Sequence, residues 1–585
     1  MHQSGLEYKP LEDGMIRLLT FLPGEALACT ITHHPVDKAP TYAALSYTWG
    51  ENIFDHTFSL DGSPFFITEN LHDALTTMYQ SVREEGMMFW VDAICINQKD
   101  IHERSSQVGL MSKIYQSAVK VLVWLGRSSP ESDCAMEKMV EWTKRIQSHP
   151  LTGNTTYFDI ITALTKKKEF YGPTGSEEHT VWLSILSLWE RPWWRRAWIV
   201  QEATSLTIKQ TIIHCGNRTA PMDCLRTILD IRYQLAQFTD HYLTASFDQG
   251  FAELLDNFKS NREVRPQSLL NVLQHLRTYE CKDSRDKVYA VLGMASEVTE
   301  GSIVPDYLKP LHEVYVDVAR LLLGDSTEAN FNLLGHVLRP TDEWARLDLP
   351  DKEIPSWVPD WRGPKADVIP FKKVLDRDDV GQTPSYNASK GIKSCVQISG
   401  STLYVRGLCI DNITSVNPIC VDGQTVELRN EKAGIPEAPD TQYVTGGTVG
   451  QAYNHVLLAD LGRKPGQYYS MTPFVRGQGV DWTLLESVPS TLSDSEQDRR
   501  VFLATDLKCT TFGRRVFYTS KGYMGIGPAA MKIGDSVSLF LGGQLLHVLR
   551  VDGQTQEYVG ECYVHGLMDG GAINDKSVFE TFNIH

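Results

Sequence analysis

The sequence predicts an α/β N-terminal domain, a mainly helical middle region and a β-barrel-like C-terminal domain. Three observations carry that reading. Short apolar runs alternate with helical periodicity up to about residue 205. Helical spacing continues from about residue 220 to 345, and period-two alternation takes over after about residue 395.

Residues 15–22 and 27–32 are two extended stretches separated by the Pro23-Gly24 turn signal, which predicts a hairpin. Residues 42–47, 88–94 and 120–126 are near-continuous apolar runs, the pattern of strands buried on both faces of a parallel sheet. Between the last two, Asp100 and Glu103 have capping-box spacing, and Val108, Met111, Tyr115 and Ala118 recur at helical intervals. Strand, helix, strand in about forty residues is a βαβ unit, right-handed by strong default. A further helical pattern over residues 70–82 completes an open α/β sheet spanning about 40 to 205.

Residues from about 127 to 180 interrupt that sheet as a polar insertion containing a helical stretch at 134–146. Helical patterns follow at 268–276 and 314–323, with the tract Asp283-Ser284-Arg285-Asp286-Lys287-Val288-Tyr289 between them. Beyond the Pro- and Trp-rich passage 355–361, residues 402–406 and 536–541 alternate strictly, punctuated by turns such as Gly542-Gly543 and Asp552-Gly553. The expected division is 1–215, 216–390 and 391–585, with a helical or loop excursion at about 425–505. No internal repeat of fixed period is present.

A chain of 585 residues, 42% of them hydrophobic, buries several cores. Its net charge of −16 repels phosphate backbones, which argues against nucleic acid as a general partner. The N-terminus lacks a cationic start with an apolar run, and no apolar stretch reaches the roughly 18 residues that cross a bilayer, so the reading is cytoplasmic. Eleven cysteines without C-x-x-C pairs or His partners at zinc spacing predict reduced thiols and no metal site. Nothing in these patterns requires a cofactor.

The blocks Tyr42-Ala43-Ala44-Leu45-Ser46-Tyr47-Thr48-Trp49-Gly50, Trp90-Val91-Asp92-Ala93-Ile94-Cys95-Ile96-Asn97-Gln98, Val123-Trp124-Leu125-Gly126 and Arg195-Arg196-Ala197-Trp198-Ile199-Val200-Gln201-Glu202 stand in that order. They resemble the signature blocks of the fungal heterokaryon-incompatibility (HET) domain. The middle tract Ser284-Arg285-Asp286-Lys287-Val288-Tyr289 and the late blocks Gly522-Tyr523-Met524-Gly525-Ile526-Gly527-Pro528 and Tyr563-Val564-His565-Gly566 extend the resemblance over most of the chain. It implies non-self recognition between fungal cells, with growth arrest or cell death as the outcome, and protein partners or self-association.

A weaker resemblance is to TIR domains, whose flavodoxin-like parallel sheet in several lineages carries NAD cleavage. Ser46-Tyr47 after a first strand, Asp92 near a later strand end, and Trp198 four residues before Glu202 fit that pattern. The TIR helix has Trp-Cys before its glutamate where this chain has Trp198-Ile199, and the long insertion separates Leu125 from Glu202.

Glu202 is the catalytic candidate. Cleaving the N-glycosidic bond of NAD passes through an oxocarbenium-like state that a carboxylate stabilises, and the nicotinamide leaves without an acid. The structural alternative pairs Glu202 with Arg195 or Arg196. Trp198 offers a stacking surface. Asp92 lies where open α/β sheets place their ligands, and its alternative is an acid that fixes the following loop. Asn97 and Gln98 suit a ribose or, more simply, loop amides. Ser46, Tyr47, Thr48 and Gly50 line the same edge, while Trp49 belongs to the core. Cys95 reads as a buried structural thiol, and Trp189, Trp193 and Trp194 as packing. Three functions remain open: an incompatibility and cell-death factor, an NAD glycohydrolase using Glu202, and a non-catalytic interaction module.

Overall fold

The computed structural model describes residues 8–24, 27–51, 53–149, 156–167, 169–204, 211–235, 268–299, 301–324, 329–337, 354–363, 368, 370–371, 386–393, 396–421, 439–463, 474–476, 482, 484 and 493–585. It divides into two compact units, Met1–Pro310 and Leu311–His585. The expected boundaries at 215 and 390 fall inside these units.

In the first unit, strands β1 (Met15–Phe21) and β2 (Ala28–Pro35) form the expected hairpin, in register from Met15 opposite Pro35 to Phe21 opposite Cys29. Strand β3 (Tyr42–Tyr47) is buried at all six positions. It is followed by β4 (His56–Leu60), β5 (Ser63–Ile67), helix α1 (Glu69–Glu84) and β6 (Met88–Trp90). The short helix α2 (Asp92–Cys95) and α3 (Ile101–Ser117) then lead to β7 (Lys120–Trp124). Strands β8 (Thr211–Cys215) and β9 (Arg218–Pro221) close the set.

These strands form one mixed sheet in the order β5-β4-β2-β1-β6-β3-β7-β8-β9. The centre, β6-β3-β7-β8, is parallel as the apolar runs predict. The sheet is wider than the expected 40–205 stretch, because the hairpin docks through Leu19 opposite Phe89 and the chain re-enters as β8 and β9. Antiparallel additions of this kind satisfy the edges of a parallel centre.

Helix α1 starts where Thr68 accepts a bond from the Leu71 amide, and it buries Leu71, Ala74, Leu75, Met78 and Val82 along one stripe. At α3 the capping box does not close. Asp100 accepts from the amides of His102 and Glu103 at 3.0 and 3.1 Å, but the Glu103 carboxylate turns to Arg17, at 2.5 and 2.9 Å, and to the Asn97 amide at 2.7 Å. The reason is burial: Arg17 is 1% exposed and must have an anion, whereas the Asp100 amide is already satisfied by the Asn97 carbonyl.

The insertion contains the expected helix at 134–146 and further helices beside it. Helices α4 (Pro130–Gln147), α5 (Tyr157–Lys166) and α6 (Glu177–Trp189) fill it, and Trp142 packs on Phe170 and Trp182 at ring separations of 5.4 and 5.5 Å. Helix α7 (Ile199–Thr204) precedes β8, and α8 (Met222–Leu235) follows β9. The helix at Leu269–His275 matches the expected pattern at 268–276, and a short helix, Asp286–Tyr289, lies within the tract that follows it.

The second unit opens with the helix Leu311–Leu323. Strands β10 (Val396–Ser399), β11 (Thr402–Val416), β12 (Leu461–Arg463), β13 (Phe474–Arg476), β14 (Arg514–Thr519), β15 (Met524–Pro528), β16 (Ser536–Phe540), β17 (Leu546–Asp552), β18 (Thr555–Val564) and β19 (Glu580–Ile584) follow. The 15-residue β11 pairs with β16 through Gly407–Asn412 and with β14 through Ile413–Val416. The run β11-β14-β15-β18-β17-β16 therefore returns to the strand on which it began. Helix Val449–Leu457 lies in the expected excursion, much of which is outside the described residues, and helix Asp494–Thr511 runs beyond its expected end at 505.

Among the described residues every cysteine is a free thiol, and no helix is long and apolar enough to cross a membrane.

Candidate functional site

Strand β3 ends at Tyr47 and β6 at Trp90, so their carboxyl ends deliver Ser46, Tyr47 and Asp92 to one edge of the sheet. Asp92 does not prolong its strand. Asp92 is the first residue of the helical turn α2, and its carboxylate accepts from the Ala93 amide at 2.7 Å. The other carboxylate oxygen accepts from the Trp49 indole at 2.8 Å, which ties the loop after β3 to the loop after β6.

Glu202 reaches the same edge from α7. It is 2% exposed and Ser46 is 1% exposed. Arg196 donates to both Glu202 oxygens, Nη1 to Oε2 at 3.0 Å and Nη2 to Oε1 at 2.9 Å. The Ser46 hydroxyl donates to Glu202 Oε2 and itself accepts from the Trp193 indole at 2.8 Å. Glu202 is thus held by two side chains in a fork geometry that suits a planar guanidinium.

The electrostatics of the edge are coupled. Burial opposes the charge of Arg196, but the Glu202 carboxylate, and then Asp92, leave its pKa raised. Burial pushes the Asp92 carboxyl above its ordinary value against the lowering effect of Trp49 and Arg196, and nearby Glu202 adds to the rise. Burial, and then the charge of Asp92, holds the Tyr47 hydroxyl firmly protonated. Tyr115, buried on α3, is shifted the same way by burial and then by Glu202; its hydroxyl donates to the Leu45 carbonyl at 3.0 Å. Two carboxylates beside one guanidinium in a dry setting make an acidic edge, and Arg196 is committed to Glu202.

The remaining candidates build the surround. Thr48 offers its carbonyl and hydroxyl to the Asn70 amide at 2.6 and 3.2 Å, and Asn70 Oδ1 accepts from the Trp124 indole at 2.9 Å. Gly50 has φ +73°, and a Cβ there would sit 3.3 Å from Asn70 Cβ, so the turn needs glycine. Gln98 donates to the Asp92 carbonyl at 3.0 Å, and Asn97 accepts from the Lys99 amide at 3.3 Å. Both are bound within their own loop.

Trp198 lies before α7, with its carbonyl accepting from the Glu202 amide at 3.0 Å. Its side chain lies near the Asp286 carboxylate. Cys95 is fully buried and its thiol is pushed up to about 12, first by burial, so it is inert. The structure brings together Ser46, Tyr47, Asp92 and Glu202, and adds Arg196, Trp193 and Tyr115. Only Arg196 had a sequence signal, as a nearby cation. Trp193 read as packing, and the stacked Trp189 and Trp194 rings, 5.2 Å apart, are packing. Among the described residues no group of three or more His, Cys, Asp or Glu side chains is placed to hold a metal ion.

Comparison with known proteins gives two family matches. Residues 42–202, which contain β3, the Asp92 loop, the helical insertion and Glu202, match the family described as heterokaryon incompatibility protein (HET). Residues 495–584 match the Het-6 beta-barrel domain. The chain thus carries a match to a HET domain in its N-terminal part and a match to a Het-6 barrel domain near its C-terminus. It is similar to heterokaryon incompatibility protein 6, OR allele, of Neurospora crassa, 25% identical over 669 aligned positions that cover 95% of this chain and 94% of that protein. No solved structure matches it significantly.

Proposed function

We infer that the protein is an incompatibility factor of the HET type, acting in non-self recognition and signalling growth arrest or cell death through protein partners or self-association. The observation that carries this reading is the end-to-end similarity to a heterokaryon incompatibility protein, with the HET and Het-6 barrel domains matched in order. On this reading the HET domain is the effector and the C-terminal unit senses the partner or restrains it. The test is inducible expression of the full chain in fungal strains of differing incompatibility background, with colony growth and vital-dye uptake recorded. Death confined to particular backgrounds is expected. Normal growth in every background, with the protein present by immunoblot, would overturn it.

A second reading is favoured by the convergence of Ser46, Tyr47, Asp92 and Glu202 beyond the ends of β3 and β6. In it the HET domain has a TIR-like, flavodoxin-like mechanism, and NAD is the substrate. Glu202 stabilises the ribosyl cation as the glycosidic bond breaks, nicotinamide departs with the bonding electrons, and water adds to C1′ to give ADP-ribose and a proton. Arg196 must first release Glu202. Nicotinamide release by the full chain that vanishes in a folded Glu202→Ala variant is the expected result. Death signalling that persists in that variant, with NAD intact, would instead favour a non-catalytic interaction module.

A further inference from the structure

Both oxygens of the Glu202 carboxylate are taken by the Arg196 guanidinium, and one of them also by the Ser46 hydroxyl. A carboxylate so paired has spent its charge, and a cation forming beside it gains little from it. The matched HET segment ends at Glu202, yet Arg196 is held in place from further along the chain. The Ala197 amide donates to the Glu280 carbonyl at 2.9 Å, and the Glu280 amide donates to the Arg195 carbonyl. Arg196 is thus the middle residue of a one-bridge parallel ladder with residue 280.

Glu280 belongs to a tract, residues 276–293, that is braced internally and docked on the HET segment. The Lys287 ammonium, 4% exposed, donates to the carbonyls of Leu276, Arg277 and Tyr279, and so fixes the residue just before Glu280. Arg285 Nη1 donates to the Tyr307 carbonyl at 2.7 Å, and the Tyr307 amide donates to the Ser105 hydroxyl on α3 at 3.1 Å. Gly293 backs onto both α3 and α7: a Cβ there would collide with Ser112 and lie 3.3 Å from the Nε2 of Gln201, the residue before Glu202. Charge-assisted bonds to successive carbonyls keep the shape of such a tract. Its hold on Arg195 and Ala197, by contrast, is two backbone bonds, a pairing small enough to open locally while the rest of the fold stays closed.

We propose that the tract 276–293 is an autoinhibitory clip on the HET-domain site, keeping Arg196 over Glu202, and that opening the bridge at Glu280 is the step that bares the carboxylate. The inference rests on the reading in which Glu202 carries the chemistry. The clip lies within the first unit, downstream of the matched HET segment.

The test is nicotinamide release from NAD by the full chain, with hydrogen exchange over residues 195–203 followed by mass spectrometry. Glu280→Pro removes the amide that donates to Arg195, at a position whose side chain is exposed. Tyr279 before it already has the extended backbone that a following proline demands, φ −82° and ψ 149°. This variant is expected to exchange faster over 195–203 and to raise nicotinamide release roughly two- to tenfold, the population shift that one hydrogen bond is worth. Glu280→Ala keeps both backbone bonds and is expected to match the wild type. Gly293→Ala wedges the tract away from Ser112 and Gln201 with every backbone donor in place, and is expected to act as Glu280→Pro does; it carries the test alone if the proline variant does not fold. Adding Glu202→Ala to either is expected to abolish the gain.

Faster exchange with release unchanged or lowered, in a protein whose wild type cleaves NAD, would overturn the clip and leave the catalytic reading standing. Exchange indifferent to both Glu280→Pro and Gly293→Ala would overturn it as well, since Arg196 would then be held without the tract. If neither the wild type nor any variant releases nicotinamide, the catalytic reading fails. The clip then stands if Glu280→Pro or Gly293→Ala kills in backgrounds that tolerate the wild type, and falls if neither does.

Discussion

The Arg196 guanidinium lies against the Glu202 carboxylate in a two-bond fork, 3.0 and 2.9 Å, with Arg196 18% and Glu202 2% exposed at the side chain. A buried pair of this kind adds little net stability over an apolar pair, yet removing one partner strands a charge in a dry setting. Arg196→Ala is therefore expected to destabilise the protein by about 3–5 kcal/mol. Adding Glu202→Gln should restore a large part of that loss, as measured by denaturant unfolding of the four members of the double-mutant cycle. Additive losses would mean that the two side chains are energetically separate.

The loop that carries Ser46 and Thr48 hangs on Asn70. Asn70 is the only described side chain bonded to both Thr48 and the Trp124 indole. Trp124 is 1% exposed, so Asn70→Ala leaves a buried N–H without a partner and is expected to cost about 1–3 kcal/mol. Asn70→Asp keeps an acceptor for Trp124 but turns its other oxygen against the Thr48 carbonyl, so it should cost at least as much as Asn70→Ala. A smaller loss than that of Asn70→Ala in chemical unfolding would show that the bond to Thr48 contributes little.

In the second unit the His547 imidazole is stacked on Phe540 at 4.1 Å, with Nδ1 near the Tyr558 hydroxyl at 3.1 Å and Nε2 buried without a partner. Burial lowers its pKa to about 3. The unfolded chain takes up that proton near pH 6.5, so the stability this neutral ring confers is complete above pH 6.5 and is lost as pH falls toward 3. At pH 5 the loss amounts to roughly 2 kcal/mol. His547→Phe should be less sensitive to acid than the wild type by that amount, with a pH-independent offset from the lost Tyr558 bond. Parallel pH profiles of the two unfolding midpoints would refute it.

Much of the fold is legible in the sequence because burial on both faces leaves a mark that needs no tertiary knowledge. The runs that became β3, β6 and β7 are of this kind, and so are the turns around β1 and β2. The hairpin's place beside β6 and the return of the chain as β8 left no such mark, since pairing between distant strands is not written in local periodicity. The site was legible only in part. Ser46, Asp92 and Glu202 stand at strand ends or on a short helix, where their residue types are unusual. The bond from Trp193 to Ser46 was invisible because a buried indole reads as packing until its N–H is traced. Trp198 shows the same limit in reverse: its spacing suggested a side-chain partner for Glu202, while the bond between the two residues runs through the backbone, from the Glu202 amide to the Trp198 carbonyl.

Ser46 joins Glu202 to Trp193, so a substitution there separates structure from chemistry. Ser46→Ala removes the hydroxyl that donates to Glu202 and orphans the Trp193 indole, which is 1% exposed. The expected cost in stability is about 1–3 kcal/mol, dominated by the unpaired indole. Ser46→Ala combined with Trp193→Phe removes both ends of that bond and should recover most of the loss, while Glu202 still lacks the Ser46 donor. Unfolding measurements on the single and double variants test the first part. Death signalling by the double variant tests the second: if it is stable and inactive, the bond to Glu202 is functional, and if it is stable and active, Ser46 serves only to anchor Trp193.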